Sequence, residues 1–105
     1  MAEADGAAFS FTAGVLRVNR ELDEIEAVTL EEEVRRLADS DVAAPVLDLG
    51  GVSYVPSYHI EGIRSAASRC TGSGRSMTVR ARRNVTMMLD RMGLGAVARL
   101  KTVDE

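Results

Sequence analysis

At 105 residues, 46% apolar and 28% charged, the chain has room for one domain with one modest core and falls outside the disordered range. It has no Trp and only four aromatic residues, so the core has to be aliphatic, and no apolar run reaches the length of a membrane span. The net charge of −3 divides unevenly. Residues 1–48 carry twelve acids and four arginines, whereas residues 49–105 carry four acids and nine basic residues. Such a split can mark two differently charged faces and a charged partner, although its simplest reading is acids coating one solvated helix. No Lys/Arg cluster with interleaved aromatics points to nucleic acid. A lone Cys70 excludes an internal disulfide, and one Cys with one His makes a protein-built metal centre an unpromising reading. The start of the chain lacks the basic and apolar regions of a signal peptide, so a cytoplasmic location is expected.

In chain order, residues 1–7 are small and acidic and are expected to be flexible, residues 8–102 to form a single domain, and residues 103–105 a tail. Phe9 and Phe11 alternate with Ser10 and Thr12 in a first short strand. Ala13-Gly14 turns the chain, and Val15, Leu16 and Val18 make a second strand, so the two form a hairpin. From Glu21 to Ala27 the segment is acidic, with Leu22 and Ile25 as its apolar anchors. Thr29 followed by Glu32 has the spacing of a capping box, after which Leu30, Val34, Leu37 and Ala38 share one helical face. Asp39-Ser40-Asp41 ends that helix.

Val46 to Leu49 is an apolar strand punctuated by Gly50-Gly51. Pro56 fixes φ where a helix starts, and Ser57 offers a hydroxyl there, either as a cap or as an exposed acceptor for a phosphoryl group. The helix runs from about Ser57 to Thr71 on Ile60, Ile63, Ala67 and Cys70, and stops at Gly72. Ser76–Arg82 alternates as a strand, and Asn84 is placed to cap a third helix with the stripe Val85, Met88, Leu89 and Met92. Gly93 has the position of a left-handed stop. Ala96, Ala98 and Leu100 close the chain with a weak strand. The order ββαβαβαβ predicts an α/β fold, a mixed and mainly parallel sheet with an N-terminal hairpin and packed helices. Cys70 reads as a small buried residue, the methionines as core filler, and Asp48 as a strand-end acceptor of loop amides. Ser57 and His59 make no triad, and no phosphate loop, acid pair or cofactor fingerprint is present, so no enzyme activity and no cofactor are expected.

The stretch from Val46 to Ser57, VLDLGGVSYVPS, resembles the core pattern of STAS domains, "vvlDLsgvtfiDSsGl". Arg20-Glu21-Leu22-Asp23 resembles the "GELD" that follows the family's second strand, and Asn84 to Leu94 resembles its "v.rvLeltGL". The similarity runs from about Phe9 to Leu100 and implies the family's sheet with helices on one side. STAS domains are shared by bacterial anti-sigma factor antagonists and sulfate transporters. In the antagonists, a serine at the position of Ser57 is phosphorylated by an anti-sigma factor serine kinase, and the unphosphorylated form binds that partner. The resemblance therefore implies a non-catalytic partner-switching protein with Ser57 as phosphoacceptor and a docking surface of Ser53, Tyr54, Pro56, Ser57, Tyr58, His59, Glu61 and Gly62. Pro56 stands where the family usually has Asp, and Tyr58-His59 where Ser-Gly often follows. Two alternatives go with the same resemblance: an unphosphorylated scaffold or transporter-associated subunit, and a nucleotide- or lipid-binding domain. An exposed sheet edge also offers a route to a homodimer.

Overall fold

A computed structural model describes residues 8–103, with Tyr58 described for its backbone alone. The expectations for residues 1–7 and for the last two residues of the tail lie outside the described residues. Nine elements follow in order: β1 (Phe9–Thr12), β2 (Val15–Val18), α1 (Glu24–Asp39), β3 (Val46–Asp48), α2 (Ser57–Gly72), β4 (Met77–Ala81), α3 (Arg83–Arg91), a 3₁₀ turn (Leu94–Ala96) and β5 (Ala98–Thr102). The five strands lie in one sheet in the order β1-β2-β3-β4-β5, with β1 antiparallel to β2 and the other neighbours parallel. This is the mixed α/β architecture expected from the alternation of strand and helix patterns. The hairpin turn places both Ala13 and Gly14 at positive φ, as a two-residue connection between twisted strands demands.

The period-2 pattern decides which face of the sheet is covered. Leu16, Val18, Leu47, Met77 and Val79 are fully buried, and they pack in one cluster with Leu30, Val34 and Leu37 of α1, Ile60, Ile63 and Ala67 of α2, and Val85 and Leu89 of α3. Each buried aliphatic side chain stabilises the fold by about 1.5–3 kcal/mol. The alternate positions tell the opposite story. Register sets Arg17, Asp48, Arg80 and Lys101 in one row across β2 to β5, with Arg99 in the next. Arg17, Arg99 and Lys101 are exposed. Basic residues, most of them from the basic half of the chain, thus colour the helix-free face of the sheet, while the acids of residues 21–33 sit on α1 and its approach.

Several local boundaries differ from the sequence expectation. Helix α1 starts at Glu24, and its capping box is Asp23 with Glu26, not Thr29 with Glu32. The Glu26 amide donates to Asp23 Oδ1 at 2.8 Å, and the Asp23 amide donates to Glu26 Oε1 at 3.1 Å. Thr29 lies inside the helix, its hydroxyl donating to the Ile25 carbonyl at 3.3 Å. Ile25 is exposed and anchors nothing; Leu22 does pack against the core. Arg20 hydrogen-bonds both oxygens of Glu26, which holds that carboxyl below its ordinary range. Because the folded-state value is lowered, this contribution is present at neutral pH and is lost as pH falls through the folded value. At the other end of α1, Arg75 donates to the carbonyls of Ala38, Ser40 and Val42, which no helical partner can satisfy.

Helix α3 is preceded by Arg82, not capped by Asn84, and Thr102 belongs to β5. Ala96 falls in the 3₁₀ turn rather than in the last strand. Gly93, at φ 84°, is the left-handed stop that the sequence predicts. Cys70 is fully buried, as expected for core, and burial pushes its thiol above the ordinary range. Iodoacetamide at neutral pH should therefore spare Cys70 in the folded chain and modify it rapidly in denaturant. Equal rates in the two states would contradict this placement.

Candidate functional site

The junction from β3 to α2 is held by contacts that sequence neighbours do not supply. Asp48, 5% exposed, ends β3 and accepts the Gly50 amide on Oδ1 at 2.9 Å. Its other oxygen lies 3.3 Å from Arg17 and 3.7 Å from Arg80 on the flanking strands. A buried carboxylate needs such partners, and here they fix where the loop leaves the sheet. Arg82 Nε adds a bond of 3.0 Å to the Gly50 carbonyl. Gly51 then passes against the end of β2, so closely that a Cβ would lie 2.5 Å from the Val18 carbonyl oxygen.

Ser53 is the next fixed point. Its amide and its hydroxyl both donate to Glu21 Oε2 at 2.7 Å, and its carbonyl accepts from the Asn84 side chain at 2.8 Å. One residue thereby ties the loop to the β2–α1 connection and to α3. The hydroxyl of Ser53 is spent on this staple. Ser53→Ala keeps the amide bond and loses the hydroxyl bond, a cost of about 1 kcal/mol. Thermal denaturation should show a fall in Tm of about 4 °C; an unchanged Tm would mean that the staple contributes nothing.

Beyond Ser53 the chain presents Tyr54, 64% exposed, then buried Val55 and half-buried Pro56. Pro56, at φ −58°, is the residue before α2, and no side chain caps that helix. Ser57 is the first helical residue, so it is not a cap. It is exposed, its hydroxyl has no hydrogen bond to a described residue, and the first turn of α2 carries no acid. The His59 amide is taken by the Pro56 carbonyl at 3.0 Å, so the helix start offers the amides before it and the positive end of the helix dipole beside an accessible hydroxyl.

The other predicted site residues separate into two groups. Glu61 is exposed one turn along from Ser57 and lies 3.4 Å from Arg64. Tyr58 shares the first turn, its side chain outside the description. His59 does not belong to the surface: it is 5% exposed, and its Nδ1 lies 2.9 Å from Glu31 Oε2 on α1. The helical turn that exposes Ser57 rotates His59 inward, where it ties α2 to α1 instead of meeting a partner. Gly62 is half-buried against the same Glu31, whose Cγ would lie 3.0 Å from an added Cβ. Its lack of a side chain lets the two helices approach.

Beside the junction lies a hollow of about 160 Å³ with apolar walls from Leu22, Ala27, Leu30, Val52, Val55 and Pro56. Tyr54 borders it, and Glu21, Asp23 and Glu24 supply its acidic side. The sequence reading passed over this hollow, because its walls come from three separate segments; the Asp23–Glu26 capping signature was the one local clue to where α1 enters. Among the described residues no group of three or more His, Cys, Asp or Glu side chains is arranged to hold a metal ion. No helix among them is long and apolar enough to cross a membrane. A search among curated proteins found no match. The family model of the STAS domain matches residues 5–104, nearly the whole chain, and the protein belongs to the STAS-domain family.

Proposed function

We propose that this STAS-domain protein is a signalling module that works by binding another protein, as an anti-sigma factor antagonist or a related partner-switching protein, and that phosphorylation of Ser57 controls the binding. The observation that carries the reading is the state of Ser57: an exposed hydroxyl at the uncapped start of a 16-residue helix, on a loop anchored to the sheet. A phosphoryl group there gains the helix dipole and free amides and changes the local charge by about −1.5 to −2. The docking surface is Tyr54, Pro56, Ser57 and Glu61 with the adjoining hollow. Buried His59 and half-buried Gly62 support that surface from beneath, and exposed Ser53 ties down its edge. In this reading the chain is a substrate and a binder, not a catalyst, and its partner is an anti-sigma factor serine kinase.

Incubation of the purified chain with ATP and each serine kinase encoded beside its gene, followed by peptide mass mapping, tests the modification. One phosphoryl group on the peptide containing Ser57, and none on a Ser57→Ala variant, is the expected result. Absence of phosphate with every such kinase, or its attachment elsewhere, would overturn the switch.

The hollow beneath Tyr54 supports a second reading, a small apolar ligand in place of a protein side chain. Its acidic residues Glu21, Asp23 and Glu24 disfavour a nucleotide, whose phosphates they would repel. A thermal-shift screen separates the two classes. Under this second reading a neutral long-chain alcohol raises Tm by mass action, whereas nucleotides leave it unchanged.

A further inference from the structure

The two edges of the sheet are treated differently. Edge strand β5 carries Arg99 and Lys101, and charge on an edge strand opposes pairing with another chain. Edge strand β1, Phe-Ser-Phe-Thr, has no charge at all. Its Phe11 is 55% exposed on the helix-bearing side of the sheet. The backbone of β1 is also prepared for a neighbour. The Asn19 amide donates to the Ala8 carbonyl at 2.8 Å, and Thr12 pairs with Val15 at the turn. In an antiparallel ladder these bonds alternate, so residues 8, 10 and 12 spend their polar groups on β2. Phe9 and Phe11 then aim both their N–H and C=O groups at an edge that no other described strand covers.

We infer that β1 is a self-association edge and that its occupant is β1 of a second copy, antiparallel across a two-fold axis at Ser10. Phe9 of one copy exchanges two hydrogen bonds with Phe11 of the other, and the reverse pair forms by symmetry. This register puts all four phenylalanines on one face, in cross-strand pairs of the kind that stabilise sheets. Phe11 lines a hollow of about 380 Å³ with Leu16, Leu37, Glu33 and Arg36, and this register sets Phe9 of the second copy opposite Phe11 there. Glu33 and Arg36 lie 3.4 Å apart as a neutral pair, so two such flanks meet without like-charge repulsion. The two-fold symmetry makes an uncharged strand its own complement, which a strand carrying charge near the axis cannot be. Ser10, on the helix-free face, meets Ser10 of the second copy directly.

Sedimentation velocity of the full chain over a range of concentrations tests this, with Ser10 as the diagnostic position. The parent chain sediments as a concentration-dependent dimer. Ser10→Lys and Ser10→Asp, which place like charges opposite each other, each weaken the dimer roughly fivefold. An equimolar mixture of the two variants restores it. Phe11→Lys removes the dimer, and far-UV circular dichroism confirms that each variant is folded. The inference is overturned if the parent stays monomeric up to about 1 mM, if the dimer survives Phe11→Lys in a folded protein, or if the mixture is no stronger than either Ser10 variant alone.

Discussion

Replacing Gly51 by Ala will destabilise the protein by about 3 kcal/mol and lower its Tm by at least 10 °C, roughly. The added Cβ would lie 2.5 Å from the Val18 carbonyl oxygen, 2.7 Å from the Asn19 carbonyl carbon and 2.8 Å from the Asn19 oxygen. All three are backbone atoms at the end of β2, and none can swing aside as a long side chain does. Relief must come from displacing the loop, which would disturb the Gly50 amide bond to Asp48 and the Ser53 staple to Glu21. Two neighbours serve as controls. Gly50→Ala meets Asp48 Oδ1 at 3.1 Å and Val103 Cγ2 at 3.5 Å, both side chains, and should cost under about 1 kcal/mol. Gly72→Ala, at the end of α2 with nothing within 4 Å of the added carbon, should be neutral or stabilising by about 0.5–1 kcal/mol. Thermal denaturation of the three variants separates these cases. A Gly51→Ala protein as stable as its parent would contradict the anchoring of the β3–α2 junction.

The second large effect falls on binding and leaves the fold intact. Ser57→Asp adds a negative charge to the first turn of α2, where the dipole and the free amides favour it by about 0.3–1 kcal/mol. Stability should therefore hold or rise slightly. Partner affinity should fall by about 2–3 kcal/mol, roughly 30- to 150-fold, because an interface built around a neutral hydroxyl has to desolvate the carboxylate without a matched partner. The dissociation of the two readouts is what distinguishes a switch from a structural residue. If Ser57→Asp lost binding together with Tm, the loss would be one of folding, and if it lost neither, the scaffold reading of the family would be favoured.

The element order was legible because it rests on local periodicity. Alternation marked the hairpin and Ser76–Arg82, and the spacing of Ile60, Ile63, Ala67 and Cys70 marked α2. Strand-end Asp48 was also legible as an acceptor of a loop amide, which Gly50 supplies. The misplaced start of α1 shows what periodicity leaves open: Thr29–Glu32 and Asp23–Glu26 have the same spacing, and Arg20, three residues upstream, supports the second through its bonds to Glu26. The contacts that anchor the site were not legible for a different reason. His59 looked like a surface residue because its partner Glu31 lies 28 residues away in sequence. Ser53 is exposed, but Glu21, 32 residues earlier, takes its hydroxyl. Nothing near Ser57 in sequence reports on either contact. The division between residues that face outward and residues that hold the junction in place is a tertiary property.

The central claim is that the β3–α2 junction is read by a protein partner according to the state of Ser57. Titration calorimetry of the serine kinase that modifies Ser57, against the chain with and without phosphate at that residue, tests it most directly. The account predicts tight binding of the unphosphorylated chain and a Kd at least roughly 30-fold weaker after phosphorylation. Equal Kd values for the two forms, each shown to be folded, would contradict it.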